Sequence, residues 1–209
     1  MRRARVCWLA TEVDDAPPPG PPPAHPPTVL VVGRLEPYRD KGHAALIDGW
    51  PTVVSAVPDA RLLIVGAGPG LDTVRRRAAA SPAAALIEVP GFVPETEMEG
   101  AWSRASVFAM PSRGEGFGLV YIEAMRQGLP VIASVHDAAP EINLDGHTGY
   151  NVDLDEPGAL PERIIHVLRH PAAAARLGAN GRSRWYDHFR FSAFRERFRP
   201  ILTEFLTRH

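Results

Sequence analysis

The chain has 209 residues, 45% of them hydrophobic, which is enough for one good-sized core and excludes the disordered and fibrous classes. With 23 basic against 24 acidic side chains and a formal net charge of −1, it has no overall basic field for nucleic acid, so a phosphate site has to be built locally. Its one cysteine, Cys7, excludes an internal disulfide and an all-cysteine zinc site, and fits a reducing, cytoplasmic setting.

In chain order, Arg5–Ala10 (RVCWLA) reads as a short buried strand. Its apolar part is shorter than the roughly seven to fifteen residues of a signal peptide, and no run approaches the roughly twenty of a membrane span. Residues 17–27, PPPGPPPAHPP, hold eight prolines in eleven positions and are expected to form an extended polyproline linker. A strand at Val29–Gly33 follows, then the loop RLEPYRDKG with Arg34 and Lys41, then a helix from about His43 to Val57. Basic side chains between a strand and its helix can pair with a diphosphate, Arg as a fork and Lys as a point charge, although solvation at the surface is their commoner fate.

A second strand, Leu62–Val65, runs into VGAGPG at 65–70 and a helix over 71–80. With Glu88 about twenty residues on, this imitates a dinucleotide-binding fingerprint; yet Leu71 stands where the third glycine belongs, and the turn follows the second strand rather than the first. A third strand at Leu86–Val89 leads to PGFVPETEMEGAW, where Glu97 and Glu99 sit solvated on a short helix.

The chemistry concentrates after a fourth strand, Val107–Met110. A glycine-rich turn leads to an amphipathic helix and then to a strand at Val131–Ala133. Gly114, Gly116 and Gly118 let the backbone approach a ligand, and the N–H groups of Phe117, Gly118 and Leu119 are expected to lie unpaired at the helix start. The helix dipole there favours an anion by roughly 0.3–2 kcal/mol. Glu115 and Glu123 frame the turn as ionised hydroxyl acceptors, which suits a sugar or ribose; as a bare pair, two glutamates on a surface helix carry little weight.

Further on, HDAAPEINLDGHTGYNVD at 136–153 ends in a strand at Gly149–Val152, and Glu141 is expected to cap the helix or turn beside it. Gly158–Arg169 and Ala172–Phe189 are helical, interrupted at Pro171. A last helix at Phe191–Leu206 carries Phe194, Phe198, Ile201 and Phe205 as a packing stripe. His166 and His170 share a helical face without a third ligand, so no metal is expected. Alternating strands and helices make this an α/β chain with an open parallel sheet.

The run PSRGEGFGLVYIEAMRQGLPVIAS at 111–134 resembles the donor-site signature of retaining glycosyltransferase family 4, PS..EGFG....EAM..G.PVIAS, without a gap. Gly33-Arg34-Leu35, the later Lys41-Gly42 and the VG.GP glycines match that family too, and the likeness covers about residues 28–208. It implies the C-terminal half of a GT-B enzyme, a single domain with a Rossmann-like parallel sheet flanked by helices that binds the nucleotide-sugar donor. On that resemblance Arg34, Lys41 and Glu115 form the catalytic set, the two cations on the phosphates and Glu115 on the sugar hydroxyls. Glu123 takes the ribose. Gly33, Gly68, Gly116, Phe117, Gly118 and Leu119 line the donor, with Phe92 and Val93 near the base, although core packing is nearly as good a reading of Phe92. Retention of configuration and independence of metal are implied, with no cofactor beyond the nucleotide-sugar substrate.

The implied domains are a remnant-like N-terminal strand at 1–16, the linker at 17–27 and the donor domain at 28–209. The acceptor domain is almost wholly absent, so transfer to an unknown acceptor is expected to need a separate acceptor-domain chain. The alternatives are a non-catalytic nucleotide-binding module and, behind it, a dinucleotide-binding Rossmann domain.

Overall fold

Short apolar runs set the architecture. In the computed structural model, which describes residues 5–15, 25–37 and 41–207, six strands form one sheet. They are β1 (Thr28–Val32), β2 (Arg61–Val65), β3 (Ile87–Gly91), β4 (Val107–Ala109), β5 (Val131–Ser134) and β6 (Gly149–Val152), in the order β3-β2-β1-β4-β5-β6 with every pair parallel. Sheets of this kind are covered on both faces, which is why the strands read as unbroken apolar runs. Val29, Leu30, Ile64, Val107, Phe108 and Ile132 are wholly buried. Each such side chain contributes about 1.5–3 kcal/mol through removal from water.

The helices are α1 (His43–Ala56), α2 (Leu71–Ala80), α3 (Glu95–Arg104), α4 (Leu119–Arg126), α5 (Ala139–Ile142), α6 (Ala159–Arg169), α7 (Pro171–His188) and α8 (Phe191–Thr207). Pro171 starts α7 rather than breaking a helix, the position where a missing N–H costs nothing. α1 packs on α2 and α6, and α4 on α7. The α4–α7 approach depends on small residues: a Cβ on Gly178 would lie 1.9 Å from the Gly128 carbonyl oxygen, and one on Gly181 would lie 3.3 Å from Met125 Cγ.

Two expectations are corrected. Arg5–Ala10 is not a strand: it joins no ladder, and Val6 is 80% exposed. The segment is instead held by Trp8 against His188 and Phe189, by the Thr11 N–H donating to Phe189 O (3.0 Å), and by an ion pair between Arg5 and Glu204. The six strands already complete the sheet, so a short apolar run outside it finds a helix surface. On α8, the stripe is not core either. Phe198 and Phe205 are exposed and Phe194 and Ile201 only part-buried, because α7 and the N-terminal segment cover one side of that helix alone; Ala193 is its one buried residue. Residues 17–24 of the proline-rich run lie outside the described residues. Among the described residues, no helix is long and apolar enough to cross a membrane.

Candidate functional site

The strand order reverses direction between β1 and β4. In open parallel sheets ligands bind outside the carboxyl ends of the strands at such a switch point, which here falls between the loop after β1 and the turn after β4. Three contacts weld these segments together. Gly42 adopts a left-handed φ of 81° against the turn, and a Cβ there would lie 2.5 Å from Pro111 O. A Cβ on Gly33 would meet Met110 Sδ at 3.8 Å and Lys41 Cγ at 4.0 Å. The Lys41 ammonium then reaches across and forms an ion pair with the Glu115 carboxylate.

Side chains from α4, from the turn itself and from β5 fix the turn. Tyr121 donates its hydroxyl to Met110 O (2.7 Å), Ser112 Oγ accepts the Gly114 N–H (3.1 Å), and the Ser134 hydroxyl donates to Ser112 O. Gly118 has φ 89°, and a Cβ there would run into the Tyr121 ring at 2.2 Å, so packing and conformation both require glycine. Gly114 and Gly116 differ: neither has positive φ, and an added Cβ would meet nothing within 4 Å.

The supply of amide donors is smaller than expected from sequence. The Phe117 N–H is not unpaired, because Glu115 Oε1 folds back to accept the N–H groups of Gly116 (3.0 Å) and Phe117 (3.5 Å). The Gly118 and Leu119 N–H groups at the start of α4 have no hydrogen-bond partner among the described residues. The Phe117 ring packs edge-on against Phe189 at 6.3 Å, leaving only its backbone in the turn, whereas the Leu119 side chain is exposed.

The two glutamates are tuned in opposite directions. Burial alone would raise the Glu115 pKa, but the Lys41 ion pair and the two amide donors outweigh it and hold the carboxyl below its usual range. The Glu123 side chain meets solvent, yet the protein packed around it, and then the Glu95 carboxylate, push its pKa up. Burial raises the Tyr121 phenol further still, with Asp137 and Glu115 adding to the effect.

Other expected site residues are placed unevenly. Lys41, Glu115 and the Gly116–Leu119 backbone come together. Arg34 does not join them: its side chain is 74% exposed and pairs with Glu36. Phe92 is 73% exposed, which overturns the core reading, and Val93 packs against the core beside it. Gly66 and Gly68 owe their identity to close packing, since a Cβ on either would strike Gly33 O (1.8 Å) or Leu35 O (2.3 Å). The Leu35 N–H donates to Ala67 O (3.0 Å) and the Gly70 N–H to Leu35 O (2.8 Å), so the fingerprint-like turn braces the loop that carries Arg34.

Glu141 is exposed and caps nothing; Asp137, which the sequence reading passed over, takes the Ala139 N–H instead (2.8 Å). Also missed was a cluster of His136, Asp153 and Asp155, whose ligand atoms lie within 4.8 Å of one another. Such a set suits a divalent ion, but the Arg113 guanidinium already pairs with Asp155 (2.6 Å), and both aspartates are exposed. The histidine comes from the loop after β5 and both aspartates from the loop after β6, so no spacing in the sequence announces the set.

The model for "Glycosyl transferases group 1" matches residues 13–184. Among curated proteins, the chain is 35% identical over 184 residues to a GDP-mannose-dependent alpha-(1-6)-phosphatidylinositol monomannoside mannosyltransferase of Mycolicibacterium smegmatis, covering 85% of this chain and 48% of that protein. Among solved structures, sucrose-phosphate synthase from Thermosynechococcus elongatus superposes with a TM-score of 0.79 at 27% identity, over 98% of this chain and 53% of that one. The C-terminal domain of a group 1 glycosyl transferase, LpcC of Francisella tularensis, shares the fold at a TM-score of 0.68 and 22% identity, over 82% of this chain and 89% of that one. The chain thus spans about half the length of the curated relatives it matches. With its sheet order and its glycine turn between β4 and α4, it belongs to the group 1 glycosyl transferases, as a GT-B domain of the C-terminal kind.

Proposed function

We propose that this chain binds a nucleotide-diphosphate sugar in the crevice between β1 and β4 and, together with an acceptor-binding half, transfers the sugar with retention of configuration. GDP-mannose is the donor to try first, since the mannosyltransferase relative is described as dependent on it. The observation that carries the reading is the meeting of Lys41 with Glu115 over a turn whose Gly114 and Gly116 are required by neither packing nor φ. A bound ligand supplies the missing reason for their lack of side chains.

In this reading the diphosphate takes the Lys41 ammonium and the free amides at the start of α4. Arg34, an exposed side chain next to Gly33, turns from Glu36 onto the same phosphates. As the bond from sugar C1 to the phosphate oxygen breaks, negative charge grows on the leaving diphosphate, and these donors are already aimed at it. Glu115, released from Lys41, accepts sugar hydroxyls. Glu123 accepts the ribose hydroxyls, and Phe92 and Val93 border the base. Fixed protein cations do the work here that a metal would do, so binding should persist in EDTA. A cytoplasmic setting keeps Cys7 reduced.

The second reading is a nucleotide-sugar binding module without turnover, for which the donor-side contacts between β1 and β4 are sufficient. Transfer needs a second surface to place an acceptor and exclude water, and a donor domain working without one would forfeit most of the positioning advantage. Titration with GDP-mannose, UDP-glucose, GDP, UDP and NAD, followed by incubation with labelled donor with and without an added acceptor domain, tests both. Donor binding with transfer only in the combined sample supports the enzyme reading. Binding without transfer in either sample supports the module, and preference for NAD contradicts both.

A further inference from the structure

The turn that carries Glu115 is held from outside its own helix. Both backbone groups of Glu115 are taken by the loop after β5: its N–H donates to Asp137 Oδ2 (3.3 Å), and its carbonyl accepts the Ala138 N–H (3.3 Å). The other Asp137 oxygen, Oδ1, accepts the Ala139 N–H (2.8 Å). A few residues upstream, the Ser134 hydroxyl donates to Ser112 O while Ser134 Oγ accepts the His136 N–H (3.2 Å), so the two loops are stitched at both ends.

We infer that Asp137 is a positioning residue for the donor sugar, acting through Glu115. One carboxylate clamps two amides on different loops, which requires two acceptor oxygens on a short side chain. Asn offers one oxygen and turns an NH₂ toward the second N–H, so it cannot replace both bonds. With its backbone clasped on either side, Glu115 has only its side-chain torsions to adjust when its carboxylate leaves Lys41 for the sugar hydroxyls. Hydrogen bonds weaken steeply with misdirection, so a loosened clasp should cost contacts to the sugar and not to the diphosphate, which Lys41 and the α4 amides hold independently. This inference rests on the reading that Glu115 meets the sugar.

The experiment compares calorimetric affinities for GDP-mannose and for GDP, and takes their ratio as the sugar's own contribution. It uses the full chain, Asp137→Asn, Asp137→Ala, Ala138→Pro and Glu115→Gln, each checked for native circular dichroism. Ala138 has φ −75°, which proline can adopt, so Ala138→Pro deletes the N–H to Glu115 O without touching a carboxylate. The expected result is a ratio lowered about tenfold in both Asp137 variants and in Ala138→Pro, as in Glu115→Gln, with GDP affinity within about twofold of wild type in the Asp137 and Ala138 variants; tenfold is the order expected for losing one net hydrogen bond. Should Asp137→Ala fail to fold, Asp137→Asn and Ala138→Pro carry the comparison. A ratio lowered only by Glu115→Gln overturns the positioning role and leaves the sugar reading intact. A ratio untouched by Glu115→Gln, or already near one in wild type, removes that reading and the inference with it. An equal fall in both affinities marks Asp137 as structural only and also overturns the inference.

Discussion

Lys41 is worth most where it is least exposed. Its ion pair with Glu115 places one ammonium at the mouth of β1 and one carboxylate in the β4 turn, and the neighbouring glycines divide into those the fold requires and those it does not. Gly116 belongs to the second group. Gly116→Ala should leave the melting temperature within a degree or two of wild type or raise it slightly, because the unfolded chain loses freedom. The same variant should weaken GDP-mannose binding about tenfold or more by filling space next to the ligand; scanning calorimetry and titration together check it. Glu123 gives a pH-dependent prediction. Its folded pKa lies above its unfolded value of 4.5, so its stabilising contribution is complete below that value, where it is protonated in both states, and is lost as pH rises through the folded pKa. Above the folded pKa the carboxylate, with protein packed beside it and Glu95 nearby, weighs against the fold. Glu123→Gln should therefore melt higher than wild type at pH 7, with the difference vanishing below about pH 4.5, and should bind nucleotide more weakly. A melting difference that is the same at both pH values would refute this.

At the level of elements, one tight constraint is the approach of α7 to the end of α4, the helix whose start forms part of the site. Gly178→Ala would press a methyl group to within 1.9 Å of the Gly128 carbonyl oxygen, which is backbone and can yield only if the helices part. A loss of about 1–3 kcal/mol in urea unfolding is expected, typical of overpacking; an unchanged midpoint would contradict it. The elements themselves were legible in the sequence, because unbroken apolar strands alternating with amphipathic helices point to a covered parallel sheet. α2 and β6 keep the boundaries read from sequence, and most others shift by a residue or two. What periodicity could not supply is what an element packs against. α8 has a correct helical stripe that is largely uncovered, and RVCWLA is apolar without being a strand. The glycine turn was readable because its spacing is local. Asp137 was not, because its partners at Glu115 and Ala139 come from two loops that only the fold unites.

For the molecule as a whole, the order β3-β2-β1-β4-β5-β6 decides which glycine-rich turn can face a ligand. The turn after β2 lies away from the reversal and braces the loop after β1, whereas the turn after β4 lies on the reversal and faces Lys41. That placement makes the turn after β4, rather than the fingerprint-like turn after β2, the one to test first for a ligand. The most direct test is titration of GDP-mannose into the wild-type chain and into Lys41→Ala, both verified as folded. Loss of a charge-assisted contact to phosphate, about 1.5–3 kcal/mol, predicts saturable binding to wild type and roughly a 10- to 100-fold loss in the variant. Equal affinity in the two proteins, or no binding to wild type, would contradict a diphosphate site between β1 and β4.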